Sequence, residues 1–190
     1  MKTKYILHGG ISSKDNESNR AFYEEFVRDV SDGSNVLLVF FAVESEDVAE
    51  KAEYMQGAFE KQSHGTKLNF MVATREDFLD QVKKADAIYI HGGNTEQLIE
   101  ILKSYPNLKS YLGGKTIAGS SAGAYALAQF GSAHTSERMR EGLGVLPIRI
   151  ICHDGSLILP PSATSVAELR ATAPELELVI LKDYEWKVFE

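Results

Sequence analysis

Short runs rich in β-branched and aliphatic residues recur along this chain, at residues 4–8, 36–42, 67–73, 87–91, 116–120 and 148–152. Strands apolar on both faces cannot lie with one side in water, so they belong in a parallel sheet covered by helices. The segments between them (19–30, 46–62, 76–84 and 95–104) place apolar residues at every third or fourth position, as in Ala21, Phe22, Phe26 and Val30. That is the period of a helix with one buried stripe. Together they predict an α/β fold, a three-layer sandwich with a mostly parallel sheet between helices. Near the C-terminus, residues 165–172 favour a helix that Pro174 stops. Residues 177–181 and 185–189 alternate around Lys182-Asp183-Tyr184, which predicts an antiparallel hairpin at the sheet edge. No repeat or linker-like shift divides the chain, so residues 1–190 are expected to form one domain.

Composition narrows the function classes. Acidic side chains outnumber basic ones by 27 to 20, a formal charge of −7. Nucleic-acid binding is therefore not expected, because phosphates call for clustered Lys and Arg. One cysteine, Cys152, excludes an internal disulfide and a thiolate zinc cage, and neither a metal nor an organic cofactor is expected. The apolar run Tyr5-Ile6-Leu7 is too short for a signal peptide, and no run approaches the roughly 18 apolar residues of a membrane span. The expectation is a cytoplasmic protein, monomer or homodimer, that makes no membrane contact.

The chemistry is concentrated at Gly119-Ser120-Ser121-Ala122-Gly123, which satisfies the Gly-x-Ser-x-Gly pattern of a nucleophile elbow. A strand turning sharply into a helix strains the middle residue and leaves no room for bulk two positions either side. The apolar run before it and the small-residue helix after it, residues 122–128, supply that context. Ser121 is the predicted nucleophile; Ser120 would be flanked at the same spacing by alanines. A second glycine turn, Gly92-Gly93, ends the apolar run 87–91 and precedes a helix that Asn94 or Thr95 can cap. Acyl transfer through serine needs two N–H donors for the oxyanion, each worth about 3–4 kcal/mol. Gly92 or Gly93 together with Ala122 is the expected pair. Gly92, Asn94 and His91 are expected to meet the substrate.

Gly92-Gly93-Asn94-Thr95, the elbow Gly119–Ala124, and Leu143-Gly-Val-Leu-Pro147 leading to Ile151-Cys-His153 together resemble the peptidase E / cyanophycinase family of serine hydrolases. Ala173-Pro-Glu-Leu176 and the terminal strands extend the likeness over roughly residues 86 to 190. The family shares its sheet architecture with class I glutamine amidotransferases, which carry cysteine where this chain has Ser121.

A serine hydroxyl needs a base within hydrogen-bond reach. His153 ends the run 148–152 on the rim where strand ends meet, and the resemblance puts the base there, after Leu146-Pro147. For the orienting acid, only Glu137 and Glu141 lie between Ser121 and His153. The spacing implied by the resemblance favours Glu137 over Glu141. Both belong to the polar, aperiodic segment 131–142, read as a loop near the site. Family members that cleave after an N-terminal aspartate use an arginine beyond the base histidine. Residues 154–167 contain neither Arg nor Lys, which argues against an aspartyl preference. The resulting expectation is a serine peptidase, an exopeptidase or dipeptidase acting on small peptides through an acyl-enzyme. The alternative is a binding or regulatory protein that kept the elbow without turnover. Fluorophosphonate labelling of Ser121 separates the two.

Overall fold

The computed structural model of the chain describes residues 2–134 and 137–190. Its centre is a sheet of strands β1 (Lys4–His8), β2 (Ser34–Val39), β3 (Leu68–Val72), β4 (Ala87–Ile90) and β5 (Thr116–Ser120), all parallel. The last strand, β10 (Trp186–Phe189), closes one edge antiparallel to β1, giving the order β10-β1-β5-β4-β2-β3. Side chains on a strand alternate between faces, and they divide two cores. Ile6, Val36, Leu38, Tyr89 and Ala118 pack under helices α1 (Glu17–Val27) and α2 (Val48–Gln62), with Phe22, Phe26 and Phe59. Leu7, Leu37, Val39, Ile88 and Ile117 face the other way, toward α3 (Phe78–Lys84), α4 (Thr95–Lys103) and α5 (Ala122–Leu127).

A smaller sheet follows. It has the order β7-β6-β8-β9, from β6 (Ala128–Gly131), β7 (Arg140–Glu141), β8 (Leu146–Ile151) and β9 (Glu177–Ile180), with α6 (Ala163–Ala171) between β8 and β9. Here the predicted C-terminal hairpin is corrected. Strand β9 pairs parallel with β8, whereas β10 pairs antiparallel with β1 in the other sheet. Both strands alternate as predicted, but each finds a longer apolar partner than the other could offer. The connection 181–185 therefore crosses from one sheet to the other, and it carries Asp183 with it.

Parallel strands leave their carboxyl ends on one rim, where ligands bind in open α/β sheets. Strand β1 ends at Gly9-Gly10, β4 at Gly92-Gly93, β5 at Ser121 and β8 before His153.

Candidate active site

Ser121 stands between β5 and α5 with φ 50° and ψ −107°, a region that L-residues with side chains rarely occupy. The turn tolerates it because its flanks lack side chains. A Cβ on Gly119 would lie 2.5 Å from Gly123, and one on Gly123 would lie 2.2 Å from the Ile90 carbonyl oxygen. The Ser121 N–H is spent on the His8 carbonyl at 2.9 Å, tying the elbow to β1. Its hydroxyl is thereby lifted off the sheet edge toward His153.

The imidazole of His153 joins two groups. Its Nδ1 lies 2.6 Å from Asp183 Oδ1 and its Nε2 lies 2.8 Å from Ser121 Oγ. A carboxylate accepts, so Nδ1 carries the proton and Nε2 is left to accept from the serine hydroxyl. The backbone is strained at His153 and beside Asp183 as well: φ is 59° at His153 and 68° at Tyr184. Such strain persists only where surrounding contacts over-determine the backbone. Those contacts come from the Gly9-Gly10 turn. Gly9 accepts from the His153 N–H at 3.0 Å and donates to the Glu185 carbonyl at 2.8 Å, while Gly10 accepts from the Tyr184 N–H at 3.1 Å. Gly10, with φ 130°, lies so close beneath the ring that a Cβ would sit 1.9 Å from His153 Cε1. One glycine turn thus holds His153 and Asp183 together.

Beneath that turn His8 is fully buried. Its Nδ1 accepts from the Gly10 N–H at 3.1 Å, so Nε2 carries the proton and donates to Asn19 Oδ1 at 2.9 Å. Burial pushes the His8 pKa down to about 4, keeping the ring neutral.

The Ser121 hydroxyl opens into a cavity of about 410 Å³ lined by Gly93, Asn94, Tyr125, Arg140, His153 and Leu159, among others. Arg140 and Glu96 form an ion pair in its wall. A volume of this size suits a small ligand rather than a folded chain.

The model of peptidase family S51 matches residues 5–189. The chain belongs to peptidase family S51. It is an enzyme of the serine peptidase class. Two solved structures share its fold. A peptidase from an acI-B1 Actinobacterium superposes with a TM-score of 0.70 at 24% identity, covering 100% of this chain and 84% of that one. A candidate peptidase E from Listeria monocytogenes EGD-e gives 0.66 at 16% identity, covering 100% and 98%. No curated protein matches the chain.

Within this S51 chain the structure sorts the residues singled out by sequence. Ser121 and His153 meet. Ala122 begins α5 directly after the nucleophile and is buried. Gly93 and Asn94 line the cavity, although Asn94 Oδ1 caps α4 by accepting from the Gln97 N–H. A Cβ on Gly92 would lie 3.8 Å from Ser121 Oγ, so this glycine backs the nucleophile. Glu137 is exposed on the loop and Glu141 exposed on β7, and neither occupies the Nδ1 side of His153; Asp183 does. The expectation that Glu137 orients the base is therefore corrected. Sequence reasoning missed Asp183 because a hairpin tip of Lys-Asp-Tyr is ordinary turn composition. The one available signal was an acid midway between two strands at the end of the chain. His91 does not meet the substrate cavity either. It packs against Phe40 and Tyr89 on the other side of its strand end.

Cys152 is fully buried, and burial pushes its thiol pKa well up, away from the thiolate. Among the described residues no helix is long and apolar enough to cross a membrane, and no cluster of three metal-binding side chains occurs.

Proposed function

We propose that this S51 peptidase is a serine exopeptidase that removes residues from short peptides through an acyl-enzyme. The observation that carries the reading is the unbroken hydrogen-bond chain from Asp183 through His153 to Ser121 Oγ, opening on a cavity of about 410 Å³. In this mechanism Ser121 Oγ attacks the scissile carbonyl as His153 Nε2 takes its proton. Asp183 holds the tautomer and stabilises the imidazolium. The N–H groups of Gly93 and Ala122 receive the oxyanion. His153 then protonates the leaving amine, and a water activated by the same nitrogen releases the acyl group. No step calls on a metal or an organic cofactor.

Two features support short, free-ended substrates. The cavity holds only a few residues, and its wall presents the Glu96 carboxylate and Arg140 guanidinium, partners for the charged ends of a small peptide. Because residues 154–167 supply neither Arg nor Lys, a strong preference for an aspartyl side chain is not favoured.

Incubation with a fluorophosphonate should give one covalent adduct, on Ser121, absent in Ser121→Ala. Unblocked dipeptides and tripeptides should be hydrolysed and their N-acetylated counterparts spared. Equal cleavage of blocked peptides would remove the requirement for a free amino terminus. A folded protein that takes no adduct would favour the binding-protein alternative. Rates for Asp, Asn and Leu at the first position should agree within about tenfold, the discrimination that one side-chain contact supplies.

A further inference from the structure

His91 follows β4 directly before the Gly92-Gly93 turn, and it lines a separate cavity of about 180 Å³ with Ser13, Glu50, Lys51 and Tyr54. Its Nδ1 lies 2.8 Å from the Gly92 carbonyl oxygen. A carbonyl only accepts, so Nδ1 carries the proton and donates. In the neutral ring Nε2 is then a bare acceptor, and it is buried with no partner among the described residues. Burial holds the His91 pKa below its ordinary value, which favours this neutral form. Leaving a buried acceptor unpaired is costly, and such groups mark places where another constraint prevails.

That constraint is the peptide between Gly92 and Gly93. A peptide unit is planar, and among the described residues none is cis. Its C=O and N–H therefore point in opposite directions. Holding the Gly92 oxygen toward His91 turns the Gly93 N–H to the other side, where Gly93 lines the Ser121 cavity. Glycine on both sides permits this peptide unit orientations that other residues would block, and Gly93 already sits at φ 138°. Donation to the carbonyl also polarises the peptide and makes its N–H a better donor.

We propose that His91 is a positioning residue for the oxyanion site: its Nδ1–H anchors the Gly92 carbonyl and keeps the Gly93 N–H aimed at the carbonyl oxygen of a bound peptide. This role rests on the acyl-enzyme reading above.

The test compares three substitutions. In His91→Asn the amide nitrogen falls where Nδ1 stands. In His91→Gln it reaches the Nε2 position instead, and His91→Phe keeps the ring packing with no donor. Fluorophosphonate acylation rate, kcat and KM for an unblocked dipeptide, and inhibition by a peptidyl boronic acid are measured for each. His91→Asn should stay within about twofold of the parent, because the donor is restored. His91→Gln and His91→Phe should lose about tenfold in kcat, acylation and boronate affinity with KM little changed, as expected for a misaimed rather than deleted donor. Parent-like acylation in His91→Phe, or an equal loss in His91→Asn, overturns the proposal alone. If the parent protein takes no adduct, the hydrolase reading falls and this role with it. Nitrogen-15 NMR of the parent reads the ring without turnover: a protonated Nδ1 and bare Nε2 support the anchor, and the reverse tautomer overturns it. Should His91→Phe fail to fold, the Asn and Gln pair decides.

Discussion

At His153 Nδ1, a carboxylate and an amide differ in one respect: the amide can present an N–H and force the proton onto Nε2. Nε2 could then no longer accept from Ser121 Oγ, 2.8 Å away. Asp183→Asn should therefore lower kcat by about 10⁴-fold, the penalty of a wrong tautomer in a Ser-His-Asp arrangement. Glu137→Gln, at an exposed loop position, should leave kcat within about twofold. Steady-state kinetics on the same dipeptide decides between the two acids. Gly10→Ala tests the platform beneath the ring, since a Cβ 1.9 Å from Cε1 must push His153 aside. It should abolish fluorophosphonate labelling while leaving the far-ultraviolet circular dichroism of the sheet in place. Ser121 and His153 were legible because each ends a strand whose pattern is local. The acid was not, because its partner lies 30 residues away and only chain crossing brings them together.

Among the elements, α6 depends on a side chain from outside itself. A helix leaves its last carbonyls without intrahelical partners. Here the guanidinium of Arg149, on β8, donates to the carbonyls of Leu169, Arg170, Thr172, Pro174 and Leu176. Arginine inside a strand normally faces water, yet only 7% of Arg149 is exposed. Five fixed carbonyls replace the hydration shell, which suits the planar, multi-donor head. Arg149→Met should cost about 2–4 kcal/mol, mostly from carbonyls left unpaired, measured as a lower urea midpoint at unchanged slope. The same elements show where pattern reading stops. Alternation in 177–181 and 185–189 identified strands but could not assign them to different sheets. Period 2 reports burial of a face, not the identity of the neighbour.

Over the whole molecule, folding buries His8 between the sheet and α1, with its ring 4.7 Å from that of Phe22. Its pKa is about 4 when folded, against an ordinary 6.5. Between those values the unfolded chain binds the proton and the native one does not. The stability this site contributes is therefore complete above about pH 6.5 and is lost as pH falls toward 4, by roughly 3 kcal/mol at most. Urea unfolding at pH 7.5 and pH 4.5 should show a smaller loss in His8→Asn than in the parent, because asparagine does not titrate. Cys152 gives a second global readout. With its thiol fully buried, iodoacetamide should modify it only at the rate of opening of the native structure, and at once in denaturant.

Locally encoded features could be read from the chain by itself. Strand and helix periods, the strained elbow at Ser121, the glycine turn at Gly92-Gly93 and the strand-end His153 each depend on a few neighbouring residues. Tertiary structure alone decided that β9 and β10 join separate sheets, that Asp183 on their connection meets His153, and that the His91 ring faces away from the cavity. Backbone sterics and hydrophobic period act over a handful of residues, whereas the pairing of distant segments depends on how two whole sheets share one rim.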